Sequence, residues 1–189
     1  MENNNWSKTI LGVYRYLPRV TYAFDRIVKT RAYNSGCCSS TNLSFNDVMN
    51  VTSTILDLTE RKITLINLKL IIERALKNMD TKLAKILIFK FIDGKKSVDI
   101  AERLGVCLRT YFRKINTALT SFSKSLARLG YNEQKLFDML CGEKWIMEVY
   151  YGYNEGDATL SDNILDNVEF KNKFKKNLMF EFRRVGAFS

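Results

Sequence analysis

Apolar residues recur along this chain at intervals of three and four, and runs of alternating β-branched residues are absent, so the pattern predicts helices throughout and an all-α fold. The single proline, Pro18, leaves long stretches without a breaker. Helices are expected over Ile10 to Tyr16 and Val20 to Tyr33 in an N-terminal unit, 1–43, followed by one long helix over 44–79. In that helix Val51, Leu58, Leu65, Ile72 and Met79 stand at strict sevens, with Val48, Ile55 and Leu76 on a neighbouring row that Lys62 and Lys69 interrupt. Such a seam either packs on the N-terminal helices of its own chain or pairs two copies as a homodimer.

The next unit, 80–130, opens on Asp80 as a helix cap and runs through Leu83, Ala84, Ile86, Leu87, Ile88, Phe89, Phe91 and Ile92, apolar on most sides, until Asp93-Gly94 ends it. Ser97 is then placed to cap a short helix with Val98, Ile100, Ala101 and Leu104 inward, and Gly105 supplies the backbone freedom for an abrupt turn. On the helix that follows, at about 100° per residue, Ile115, Ala118, Leu119 and Phe122 fall within about 80° of Tyr111 and form an inward stripe. Arg109, Arg113, Asn116 and Thr120 lie about 140° to 200° away, flanked by Phe112, Lys114 and Thr117. Guanidinium, amide and hydroxyl groups on one helix face are the side chains that read base edges and phosphates in a DNA major groove. Lys95 and Lys96 precede the short helix, where a helix-turn-helix meets the DNA backbone. The plainer reading of the same residues is an amphipathic helical hairpin with a solvated basic face.

The last unit, 131–189, joins an acidic helical segment to a basic tail. Leu136, Phe137, Leu140, Trp145, Ile146, Val149 and Tyr150 are expected to pack as core, the alternative being an acidic-aromatic surface for a protein partner. The tail interleaves Lys171, Lys173, Lys175, Lys176, Arg183 and Arg184 with Phe170, Phe174, Phe180 and Phe182, a composition suited to phosphate contact, an anionic membrane surface or simple packing.

Composition narrows the chemistry. The chain of 189 residues contains no histidine, which removes the usual proton shuttle and the Ser-His and Cys-His nucleophile pairs. The four cysteines, adjacent Cys37-Cys38 and isolated Cys107 and Cys141, form no metal-ligand spacing, so neither a metal nor another cofactor is expected. The string Gly94-Lys95-Lys96-Ser97 imitates the end of a phosphate-binding loop, but Phe89 stands where the upstream glycine belongs. Asp157, Asp162 and Asp166 lack the ligand alternation of a calcium loop. The chain is therefore expected not to be an enzyme. No apolar run reaches membrane-spanning length and residues 1–8 carry no leader pattern, so a cytoplasmic protein without membrane contact is expected.

The formal net charge of +10 is unevenly placed. Residues 74–130 hold 13 basic and 4 acidic side chains, while 131–170 hold 2 and 9. The excess positive charge thus coincides with the predicted helix-turn-helix, the footprint of a surface that neutralises phosphates and an argument for double-stranded DNA as the partner.

The residues of this segment resemble a known family. The stretch from Phe91 through Asp93-Gly94-Lys95-Lys96-Ser97 and Ile100-Ala101-Glu102-Arg103-Leu104-Gly105 to Val106, followed by Thr110-Tyr111 and Ala118-Leu119, is similar to region 4 of sigma-70 family factors over about residues 76–126. The resemblance implies a recognition helix that reads a promoter element and a surface that docks on the β-flap of RNA polymerase. By position in the motif, Arg109, Thr110 and Arg113 would read DNA and Lys114 would contact phosphate. Cys107 replaces the family's usual capping Ser or Thr, and Leu108 a frequent Arg, which predicts a weaker cap and a different base preference. Residues 1–73 show no counterpart of sigma region 2, so the arrangement looks more like small sigma-region-4-like regulators of phages and mobile elements in low-GC bacteria. The expected function is sequence-specific transcription regulation. The alternatives are a sigma factor or polymerase-bound adaptor and a protein-interaction module without DNA binding.

Overall fold

Pro18 does not separate two helices by a loop. In the computed structural model, which describes residues 4–37 and 45–155, helix α1 (Asn5–Val13) passes through one 3-10 turn (Tyr14–Tyr16) straight into α2 (Leu17–Cys37). Pro18 is the second residue of α2, in its first turn, where the fixed φ of proline is tolerated. The remaining helices are α3 (Phe45–Lys77), α4 (Thr81–Leu87), which ends in a π-helical turn (Ile88–Ile92), α5 (Ser97–Arg103), α6 (Leu108–Arg128), α7 (Glu133–Leu140) and α8 (Lys144–Glu155). The fold is all-α, and every regular element among the described residues is helical. No helix among them is long and apolar enough to cross a membrane, and they contain no metal-ligating cluster of Cys, Asp and Glu. Cys38, the carboxylates Asp157, Asp162 and Asp166, and the basic tail from Lys171 to Arg184 lie outside the described residues.

One continuous apolar cluster runs from Trp6 to Val149 and draws on all of these helices except α7's outer side. The heptad seam of α3 is consumed within the chain: Leu58, Leu65 and Ile72 are fully buried, and α3 packs along α2 and against α6. Lys62, which breaks the neighbouring row, reaches Asp25 of α2 at 2.6 Å. α1 packs beside α8, where the Trp6 ring stacks on Tyr150 at 4.3 Å. The buried hydroxyl of Ser125 donates to the carbonyl of Ala75 at 2.9 Å and ties α6 to α3.

Two of the caps follow local chemistry. Asp80 accepts the N–H of Lys82 at 3.0 Å as expected, and Asn132 does the same for Lys135 at the start of α7. Ser97, however, is the first residue of α5 and not its cap; Lys96 holds the cap position, and the Ser97 hydroxyl accepts from the buried Lys90 ammonium at 3.1 Å. Two inward placements are also corrected. Val98 is 58% exposed, and Phe137 points partly to solvent while Leu136, Leu140, Trp145, Ile146 and Val149 form the expected core.

Glu143, between α7 and α8, is nearly fully buried and accepts both Arg61 Nε at 2.8 Å and a terminal Arg61 nitrogen at 3.1 Å. The Trp145 indole N–H donates to the same carboxylate at 2.9 Å, and the Arg61 guanidinium lies 5.0 Å from the Phe24 ring centre. This fork joins α2, α3 and α8 across 82 residues of sequence.

Candidate nucleic-acid interface

The joint between α5 and α6 is built from backbone bonds. The N–H of Gly105 bonds the Glu102 carbonyl at 2.9 Å and that of Val106 reaches the Ala101 carbonyl at 3.0 Å, the paired bonds of a Schellman ending. Gly105 takes φ 62°, a left-handed conformation that a side chain disfavours. Val106 packs partly on the core, and Cys107, with extended backbone, leads into α6.

Cys107 makes no side-chain cap bond to the first turn, as its replacement of Ser or Thr implied. Its sulfur instead lies 3.3 Å from the Thr110 hydroxyl. That contact is the main cause holding the thiol below its ordinary pKa, with the Thr110 amide at the helix start adding to it.

Along α6 the buried side consists of Tyr111, Ile115, Ala118, Leu119 and Phe122, continued by Ser125 and Leu126. On the other side Arg109, Arg113, Lys114, Asn116 and Thr117 are exposed. Neither guanidinium is tucked beneath a neighbouring helix. Among the described residues no hydrogen bond or ion pair within the chain engages the side chain of Lys96, Arg109, Arg113, Lys114 or Asn116, so their side-chain donors face solvent. Two cations four residues apart on one helix repel each other weakly in water, and a phosphate or a guanine edge would relieve that repulsion.

The other candidates are partly committed. The Lys95 ammonium sits 4.1 Å from the Phe89 ring centre and 3.6 Å from Asp93, and it is half-buried. Thr110 is half-buried against Cys107. The Thr117 hydroxyl donates to the Arg113 carbonyl at 3.0 Å, leaving only its acceptor lone pairs for a ligand. Thr120, grouped with the arginines by helical angle, accepts from Asn4 Nδ2 at 3.2 Å and belongs to the contact with the chain's beginning. The face that remains open on α6 is therefore its first half, with Lys96 exposed at the start of α5.

The exposed apolar members of this surface are Val98 on α5, which the sequence pattern places inward, and Leu108 and Phe112 on α6, which it names only as a departure from the resembled motif and as a flanking residue. The signal of exposure was present for Val98, which lies about 160° round the helix from Ile100. Apolar groups beside guanidinium forks suit thymine methyl groups.

No protein family, curated protein or solved structure matches the chain.

Proposed function

We propose that this chain is a sequence-specific DNA-binding transcription regulator that uses α5 and α6 as a helix-turn-helix and presents the first half of α6 to the major groove. The observation that carries the reading is the open face holding Arg109, Arg113, Lys114 and Asn116, without internal partners, on the most basic segment of the chain. The Gly105 turn and the resemblance to sigma region 4, whose motif includes that glycine, also support it. In this reading Arg109 and Arg113 meet base edges, Asn116 adds an amide suited to adenine, and Lys96 and Lys114 meet phosphates.

Selection of duplexes from a random pool, followed by sequencing, tests the proposal. An enriched motif is expected, with a log-log salt slope of about −4 to −5 for four to six neutralised phosphates. Replacing Arg113 by Ala should cost about 1–3 kcal/mol and relax preference at one position. No enriched motif, or binding that ignores salt, refutes the reading and leaves α5 and α6 as a protein-contact unit. Promoter-specific transcripts from core RNA polymerase plus this chain alone would assign it the sigma-factor role instead.

A further inference from the structure

The long helix α3 carries a second apolar seam that the core does not use. Met49, Leu56, Ile63 and Leu70 recur at strict sevens about 160° round the helix from the buried Leu58 and Leu65 row, and each is between 45% and 58% exposed. The intervening row holds Thr52, Thr59 and Ile66, all exposed, so seven consecutive seam positions carry no charge. A helix that is apolar on opposite faces is built to be covered on both.

We propose that this outward seam is a self-association surface, covered by the same seam of a second copy in a two-helix coiled coil. The seven-residue period selects the occupant: it matches a helical rod running alongside for three heptads, about 31 Å, and not an irregular surface. An identical seam has that period and that length, and two-fold symmetry requires only that the stripe complement itself.

The polar members raise no obstacle to burial. The Thr52 hydroxyl donates to the Val48 carbonyl at 2.9 Å and the Thr59 hydroxyl to the Ile55 carbonyl at 2.7 Å, so covering them strands no donor. With about half of each aliphatic side chain in water, the stripe offers on the order of 450 Å² of apolar surface, and the threonines and the stems of flanking charged residues bring a copy toward the roughly 800 Å² typical of a stable interface. The C-terminal end is also shaped to receive side chains. Leu70 stands between a depression of about 300 Å³, which Pro18, Tyr22 and Ile66 help to line, and another of about 270 Å³ bounded by Arg74, Leu129 and Tyr131.

This inference does not rest on DNA binding, and its test uses the full chain without DNA. Sedimentation velocity at micromolar concentrations should give twice the mass of one chain, and Ile63→Glu should give a monomer with unchanged helical circular dichroism. Leu56→Gln and Ile66→Gln supply the same readout without introducing charge. A wild-type chain that is monomeric throughout overturns the proposal, whether because residues 156–189 or a different protein cover the seam. So does a dimer that Ile63→Glu and both Gln variants leave intact.

Discussion

Replacing Glu143 by Gln removes a charge and almost no volume. The carboxylate is 4% exposed and accepts three hydrogen bonds, two from Arg61 and one from Trp145. Breaking a fully buried ion pair costs about 3–5 kcal/mol, because the surviving charge stays uncompensated. Here the Arg61 side chain is 21% exposed and retains the Phe24 ring, so the guanidinium recovers part of its solvation. The retained amide oxygen still accepts one bond. Both effects lower the expected loss to about 2 kcal/mol for Glu143→Gln and to about 3 kcal/mol for Glu143→Ala, which also opens a cavity. Urea unfolding followed by tryptophan fluorescence measures it, and at about 2–4 °C per kcal/mol the melting midpoint of Glu143→Gln should drop by about 4–8 °C. A double-mutant cycle with Arg61→Ala should return a coupling of about 1–2 kcal/mol. A Glu143→Gln protein within about 0.5 kcal/mol of wild type would show that the fork contributes no more than an exposed pair.

Two glycines and one tyrosine give sharper contrasts. A Cβ at Gly105 meets nothing within 4 Å, so Gly105→Ala should cost only the left-handed backbone, about 1–2 kcal/mol by denaturation, with α5 and α6 still formed. At Gly94, φ 66°, the new Cβ would also push aside the Arg15 guanidinium, the far end of a flexible side chain, so Gly94→Ala should lose at least as much as Gly105→Ala; a clearly smaller loss contradicts that packing. Burial, reinforced by donation to Glu73 at 2.8 Å, pushes the Tyr14 hydroxyl from 10.0 up to about 12. The folded chain thus holds this proton more tightly than the unfolded chain, so the contribution is whole below about pH 10 and disappears as pH rises toward 12. The stability gap between wild type and Tyr14→Phe should narrow from about pH 9 to about pH 11; a gap that widens refutes the assignment.

What could be read from sequence was what local periodicity controls. The stripe Tyr111, Ile115, Ala118, Leu119 and Phe122 is buried because a 21-residue amphipathic helix has one way to face a core, and the exposure of Arg109 and Arg113 follows from it. Gly105 and Asp80 were legible because a left-handed turn and a helix start restrict residue type. Ser97 was misplaced because its hydroxyl is claimed by Lys90, a residue whose ammonium no periodicity would place in the interior. Thr120 was assigned by angle alone, and its partner Asn4 lies 116 residues away. The pairing of Arg61 with Glu143 was equally hidden, since nothing local marks a carboxylate in an acidic segment as buried. On α3 the regular sevens through Val51 drew attention to one seam and masked the other, because a helix apolar on two faces lacks a single preferred side.

The hydroxyl of Ser125 bonded to Ala75 makes α6 a beam held at its far end. Arg109 and Arg113 flank the fully buried Tyr111 in the first half of the helix, and their outward aim is fixed by the packing of α6 on α4 as well as on α3. Both guanidinium groups share one helix, so their mutual spacing is set within α6 itself, whatever the helix packs against.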